Sequence, residues 1–372
     1  MVIGVDARCL EWQRGYVAGF TEKIIQALTK KENFQIVLFF QNYVPDDIKK
    51  IENDIKICLL KGPKILLSKR ILSEQIILPY FVWKEKCNYL IAPTYSAPLL
   101  IKCKLILCIW DITYSTNKKD YSFLMGLSLR IFSYISSKSA NKIITCSNFD
   151  ANQIIAHYNI IKEKIVVINF PPRNKYRFAQ KEDLIEIENL KIKLRLPHRY
   201  ILCLGVIYNR RNIDKIISGY KQSKLYINKT VGLAIVGRDA TNPSIKPKKL
   251  MEELVKEKIG YYSDWAEEDD FMHLMQGAEF YVCTSKIDGE GIILKEAAMC
   301  GIPVITSPML KDSVSGNCII INDPSITQEW TDVFNKVSLQ SINKDILIKK
   351  SYNYVKTLSW EEVEEKTINC LV

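Results

Sequence analysis

Short runs of apolar, often β-branched residues recur along the chain at near-regular intervals. The first series is VIGVD (2–6), IVLFF (36–40), YLIAP (89–93), LILCIWD (105–111), IITCS (143–147) and IVVIN (165–169). A second series follows: YILCLG (200–205), VGLAIVG (231–237), FYVCTS (280–285) and IPVITS (302–307). Near-continuous apolar runs of this length are the pattern of strands covered on both faces. Between them the period lengthens to that of a helix. Ile24, Ala27 and Leu28 fall on one face, and Ile213, Ile216, Ile217 and Tyr220 on another. Phe271, Leu274, Met275 and Ala278 give an i, i+3, i+4, i+7 stripe. Strand and helix in alternation predict an α/β fold with parallel sheets.

The pattern breaks after IVVIN, where FPPRNKYRFAQKEDLIEIENLKIKLRLPHR combines two prolines with a dense mixture of charges. The second strand series starts after it. This predicts a first domain over 1–170, a linker over 171–197 and a second domain over 198–350. The last stretch, 351–372, is expected to return to the first domain as a helix, with Ser359 as N-cap before acidic residues. Two segments, 65–86 and 121–142, are apolar almost all round and carry lysines at their ends. Buried core helices are the favoured reading, and docking on a bilayer or a lipid-linked acceptor is the other.

Composition adds limits. The chain has 372 residues, 48% of them hydrophobic and 25% charged, which suits two globular domains. Its eleven cysteines form no C-x-x-C pair, so zinc or thioredoxin-like chemistry has no support and buried free thiols are expected. MVIGVD reads as a strand rather than a signal peptide, and no run has the roughly 18 apolar residues of a membrane span. The expected location is cytoplasmic, with peripheral contact at a membrane as an option. The net charge is +11. Residues 1–170 hold 23 Lys and Arg against 14 Asp and Glu, a net +9, so this half is the candidate for an anionic partner. No nucleic-acid motif accompanies the charge.

The most informative stretch is CTSKIDGEGIILKEAAMCGIPVITS, 283–307. A strand end, a loop with Gly289 and Gly291 and a helix start near Ile292 bring backbone N–H groups to a positive helix end. That arrangement receives phosphate. Asp288 and Glu296, with seven residues between them, flank the turn. YILCLGVIYNRRNIDKIISGY (200–220) places Arg210 and Arg211 between a strand and a helix. A guanidinium there suits a diphosphate.

These segments resemble retaining glycosyltransferases of family four, which have the GT-B fold. Asp288-Gly289-Glu290-Gly291 through Glu296, followed by Ala297, Gly301 and Pro303-Val304, is similar to that family's E-G-F-G-L-P-x-L-E and A-x-x-x-G-x-P-V signature. The chain departs from it at Asp288 for Glu, Glu290 for Phe and Lys295 for an apolar residue. The resemblance implies Asp288 as the sugar contact and Glu296 as the ribose ligand, with the amides of Gly291 and Ile292 on the diphosphate. Glu290 is a further candidate donor contact. It implies Arg210 and Arg211 as the groups that neutralise the leaving diphosphate in place of a metal, so no cofactor is expected. It implies base recognition by backbone near Tyr261 and Tyr262, and a phosphate-approaching loop with Gly15 and Gly19. LILCIWDITYS is similar to the family's t-i-H-D-l-x-y, with Trp110 in the histidine's place and Asp111 kept. Trp110 could stack on a sugar or simply fill the core.

The implied architecture is two Rossmann-like domains with parallel sheets facing a central cleft. The implied reaction moves a hexose-type sugar from a GDP- or UDP-sugar to a glycan or polyprenyl-diphosphate-linked acceptor, in surface polysaccharide or lipopolysaccharide assembly. The alternative is a weakly active or inactive relative that only binds.

Overall fold

The computed structural model describes residues 1–11, 16–49, 55–63, 70–116, 121–284, 291–339 and 341–371. The chain forms two units, Met1–Asn169 with Trp360–Val372, and Phe170–Ser359.

Unit 1 is built on seven parallel strands: β1 (Val2–Asp6), β2 (Gln35–Phe40), β3 (Ile55–Leu59), β4 (Tyr89–Ala92), β5 (Lys104–Cys108), β6 (Lys142–Thr145) and β7 (Ile165–Val167). Their order in the sheet is β3-β2-β1-β4-β5-β6-β7. Unit 2 has β8 (Tyr200–Leu204), β9 (Gly232–Val236), β10 (Gly260–Ser263), β11 (Phe280–Cys283), β12 (Val304–Thr306) and β13 (Ile319–Ile320). Their order is β10-β9-β8-β11-β12-β13. Both sheets therefore run outward in two directions from their first strand. In such sheets ligands bind outside the carboxyl ends of the strands at the reversal point. That point lies between β1 and β4 in unit 1 and between β8 and β11 in unit 2.

The central strands are fully buried, as in the BBBBB patterns of β8 and β9. This is why they stand out as continuous apolar runs. Three strands carry no such run. In β3, IKICL, Lys56, Ile57 and Leu59 are exposed. β10 reads GYYS, and β13 has two residues. All three lie at or next to a sheet edge, where one face or one rim meets water. The helix stripes are core contacts as expected: Ile24, Leu28, Ile216, Ile217, Tyr220, Leu274 and Met275 are all buried.

Three expectations change. The stretch 171–197 is not a bare linker, because it contains the helix Lys181–Leu194, and Leu190 and Leu196 join the core of unit 2. The returning segment starts later than 351. The helix Lys344–Lys356 belongs to unit 2, and only Trp360–Ile368 and the residues after it join unit 1. Gly19 does not form a loop; it lies inside the helix Tyr16–Thr29.

The segment 121–142 also departs from a core helix. The helix Phe123–Ser139 turns its small residues inward, burying Gly126, Ser133, Ser136 and Ser137. Phe123, Leu124, Met125, Ile131 and Tyr134 are exposed. No described helix is long and apolar enough to cross a membrane.

Candidate functional site

The crevice of unit 2 is built from the loop after β8, the end of β11 and the helix Ile292–Met299. β8 and β11 are parallel neighbours, with Phe280 beside Ile201 and Tyr281 beside Leu202. The chain leaves β8 at Gly205, whose φ of +112° is open to glycine and strained for other residues. A Cβ there would lie 2.9 Å from Arg211 Nη1. Glycine is thus required twice, for the turn and for the guanidinium lying against it.

Arg211 ends the single turn Asn209–Arg211 and is 8% exposed. Its Nη1 donates to the Leu204 carbonyl at 2.9 Å, and its Nη2 lies 3.9 Å from the Cys283 sulfur. Thr284 Oγ1 donates to the Arg211 carbonyl at 3.0 Å. One arginine therefore spans the ends of both strands that flank the reversal point. A planar guanidinium held at this point suits a diphosphate. Arg210 is half-buried, its guanidinium 4.1 Å over the Tyr208 ring. The two arginines differ: Arg211 is built in, and Arg210 lies over an aromatic face.

Gly291 precedes the helix Ile292–Met299 with φ +58°, and a Cβ would lie 2.4 Å from Ser313 Oγ. The first amides of any helix have no partner in the helix, so the amides of Gly291 and Ile292 suit an anion. Asp288, Gly289 and Glu290 lie outside the described residues, as does Gly15.

Glu296 sits in this helix and is 1% exposed. Arg173 Nε donates to its Oε1 at 2.6 Å and Nη2 to its Oε2 at 3.2 Å. The same guanidinium reaches Glu268 Oε1 at 2.6 Å and the Tyr176 hydroxyl at 2.7 Å. Burial pushes the Glu296 carboxyl above its ordinary value of 4.5, and Arg173 pulls it back. Arg173 belongs to the proline-rich stretch read as a linker, and nothing in that stretch signalled its partner. Lys295, which takes an apolar place, is buried and donates to the Phe170 carbonyl at 2.9 Å.

Tyr261 and Tyr262 lie on β10, half-buried, two strands from β8. The Tyr262 hydroxyl bonds the Asp264 carboxylate. In unit 1, Trp110 is fully buried, donates from Nε1 to the Pro93 carbonyl at 2.8 Å and packs edge-on against Phe20. Trp110 is a core residue and not a sugar platform: its indole already has a partner and no exposed face. Asp111 accepts from the Thr113 amide at 2.8 Å and from the Tyr95 hydroxyl at 3.0 Å, which ties down the loop after β5.

Unit 1 has a polar cluster at its own reversal point that the sequence pattern did not single out. Arg8, just after β1, donates to both oxygens of Asp6, at 2.8 and 2.7 Å, and lies 3.3 Å from Glu74. All three are buried. Burial opposes the charge on Arg8, and the two carboxylates override it and keep the guanidinium protonated.

Residues 186–324 match the family model of glycosyl transferases group 1. The match lies within unit 2. The matched residues include Arg210, Arg211, Gly291 and Glu296. The chain is 25% identical over 240 residues to the O-antigen chain mannosyltransferase B of Escherichia coli, covering 63% of this chain and 61% of that protein. It is 22% identical over 278 residues to the lipopolysaccharide glucosyltransferase WaaG of Escherichia coli K12, covering 70% and 72%. Among solved structures, Anabaena Alr3699/HepE in complex with UDP-glucose superposes with a TM-score of 0.72 at 15% identity, over 100% of this chain and 98% of that one. The fold class is thus that of the GT-B glycosyltransferases, with two parallel-sheet α/β units.

In unit 2 the raised Glu296 carboxyl has a measurable consequence. If it accepts from a ribose, only the ionised form serves. Nucleotide affinity is then expected to fall as pH drops through the raised value, and Glu296→Gln should lose that acid limb. Calorimetric titration of a nucleoside diphosphate between about pH 8 and 5 reads this directly.

Proposed function

We propose that the chain is a retaining, metal-independent glycosyltransferase of the family-four type. It takes a hexose from a UDP- or GDP-sugar and passes it to a glycan or polyprenyl-diphosphate-linked acceptor of surface polysaccharide or lipopolysaccharide assembly. The observation that carries this reading is Arg211, buried across the ends of β8 and β11 at the point where the strand order reverses. A nucleoside diphosphate needs a diol acceptor, phosphate donors and a fixed cation. Glu296, the Gly291 helix end and Arg211 are this unit's candidates for those roles.

The leaving group is an activated diphosphate, so the protein's task is to position it and to stabilise the negative charge that grows on departure. Arg211 and Arg210 supply the charge. The amides of Gly291 and Ile292 supply donors. Glu296 holds the ribose, and Asp288, with Glu290 near it in sequence, meets the donor sugar. The backbone near Tyr261 and Tyr262 reads the base. Unit 1, with its positive surplus, takes the acceptor beside an anionic membrane at the cytoplasmic face. The mannosyltransferase and glucosyltransferase relatives and the UDP-glucose complex of the Anabaena protein support this reading.

Transfer should persist when divalent cations are removed. Incubation with UDP- and GDP-hexoses, with and without EDTA, and mass detection of the glycosylated acceptor tests this. Product formed in EDTA is the expected result, and strict metal dependence would overturn the role given to the arginines. Nucleotide binding with no transfer to any acceptor would favour a binding protein instead.

A further inference from the structure

Glu296 is a carboxylate inside the helix Ile292–Met299, with 1% of its surface exposed. A buried carboxylate is costly unless it is paired, and as a source of stability such a pair often yields no more than apolar residues of the same size. This pair yields less still, because 44% of the Arg173 side chain is in water. What the pairing secures is the place and the charge of one carboxylate.

The hold has two points. Arg173 Nε donates to Glu296 Oε1 at 2.6 Å and Nη2 to Oε2 at 3.2 Å, which fixes the plane of the carboxylate as well as its position. The guanidinium is pinned on its other sides too. Nη1 donates to Glu268 Oε1 at 2.6 Å, Nη2 donates to the Tyr176 hydroxyl at 2.7 Å, and the Tyr176 ring lies under it at 5.1 Å. Tyr176 belongs to the core of unit 2. The segment that carries Arg173 is tied down once more where Lys295, next to Glu296, donates to the Phe170 carbonyl. A carboxylate has about four acceptor sites, so the two guanidinium bonds leave capacity for a ligand's hydroxyl. Burial raises the Glu296 carboxyl, and the side chain and backbone of Arg173, together with Lys175, draw it back down. The other titratable groups beside it are Tyr176 on the same segment, Cys300 at the end of its own helix and, beyond Arg173, Glu268.

We propose that Arg173 is a positioning residue that gives the nucleotide site its preference for ribonucleotides: it holds the Glu296 carboxylate in one plane, so that Glu296 accepts from a ribose hydroxyl and a nucleotide lacking that hydroxyl binds poorly. The proposal rests on the reading that Glu296 holds the ribose, and it adds the residue through which Glu296 does so. Arg173 contributes both charge and geometry, and the two are separable. A lysine at this position supplies the charge without the planar fork.

The test uses the full chain and calorimetric titration of UDP and GDP, each with its 2′-deoxy and 3′-deoxy forms, into the wild type, Arg173→Ala, Arg173→Lys and Glu296→Gln. For the nucleotide that binds, the wild type is expected to prefer the ribose form over at least one deoxy form by about 10–100-fold, the value of a hydrogen bond to a charged acceptor. Both Arg173 variants should cut that preference below about threefold, and the loss should fall on the ribose form. They should differ in pH dependence. In Arg173→Ala the Glu296 carboxyl is raised further, so affinity falls away at a higher pH than in the wild type; in Arg173→Lys the fall stays near the wild-type pH. Thermal unfolding of each variant checks the fold, and Arg173→Lys carries the comparison if Arg173→Ala does not fold. Equal weakening of ribose and deoxy forms would make Arg173 a structural partner only and overturn the proposal. Tighter binding of the ribose form in the variants would make Arg173 a competitor for Glu296, with the same consequence. A preference lost in Glu296→Gln but kept in both Arg173 variants overturns the proposal alone. No preference in the wild type, with unchanged affinity in Glu296→Gln, overturns the ribose reading and the proposal with it.

Discussion

Arg211→Ala is expected to reduce sugar transfer by about 10²–10³-fold, the cost of removing one fixed group from a developing charge. The loss should fall mainly on kcat, because the charge on the diphosphate grows as the sugar departs. Nucleotide affinity should fall less. Arg211→Lys should not rescue fully: an ammonium cannot reach the Leu204 carbonyl and the β11 end with one planar fork. Arg211 is buried, so the variant's melting temperature must be read alongside its rate. A modest drop in stability with a large drop in kcat supports the assignment. Equal losses in binding and rate would leave Arg211 as a ground-state contact only. Arg210, half-buried over Tyr208, is expected to cost less in the same assay.

Glu296→Ala is expected to weaken nucleoside diphosphate binding by about 10–100-fold, the value of hydrogen bonds to a charged acceptor at roughly 1.5–3 kcal/mol. The structure adds a partner effect. Removing Glu296 frees Arg173, which keeps Glu268 and Tyr176 and is half exposed to water. The converse change, Arg173→Ala, leaves a buried carboxylate without its bidentate partner. It should destabilise unit 2, by less than the ~3–5 kcal/mol of a fully buried pair because Arg173 itself is solvated. A double-mutant cycle in thermal unfolding and in nucleotide affinity separates the two roles. Coupling in stability without any change in affinity would remove Glu296 from the ribose.

What the sequence showed depended on where each element sits in the sheets. β8, β9 and β11 read as strands because both faces are covered, and β3, β10 and β13 did not because an edge is solvated. Arg211 and Glu296 were visible because they stand at fixed offsets from a strand end and a glycine turn. Arg173 was not: it meets Glu296 across 123 positions of chain, a contact no local pattern encodes. The Asp6–Arg8–Glu74 cluster was hidden for the same reason, since Glu74 comes from a helix 66 residues after Arg8. Trp110 could be read two ways from its neighbours, and only its burial and its bond to Pro93 decide for the core. The helix Phe123–Ser139 read as apolar almost all round, and the pattern could not show that its serines form the buried face. Burying them against the carbonyls of Tyr95 and Ala97 turned the apolar face outward.

The central claim is that the crevice between β8 and β11 holds a nucleoside diphosphate. Isothermal titration of UDP and GDP, each into the wild-type chain and into Glu296→Gln, tests it most directly. The account predicts that one of the two binds at one site per chain, and that the variant binds it at least tenfold more weakly at neutral pH. Failure of both nucleotides to bind the wild-type chain, or equal binding by wild type and variant, would contradict it.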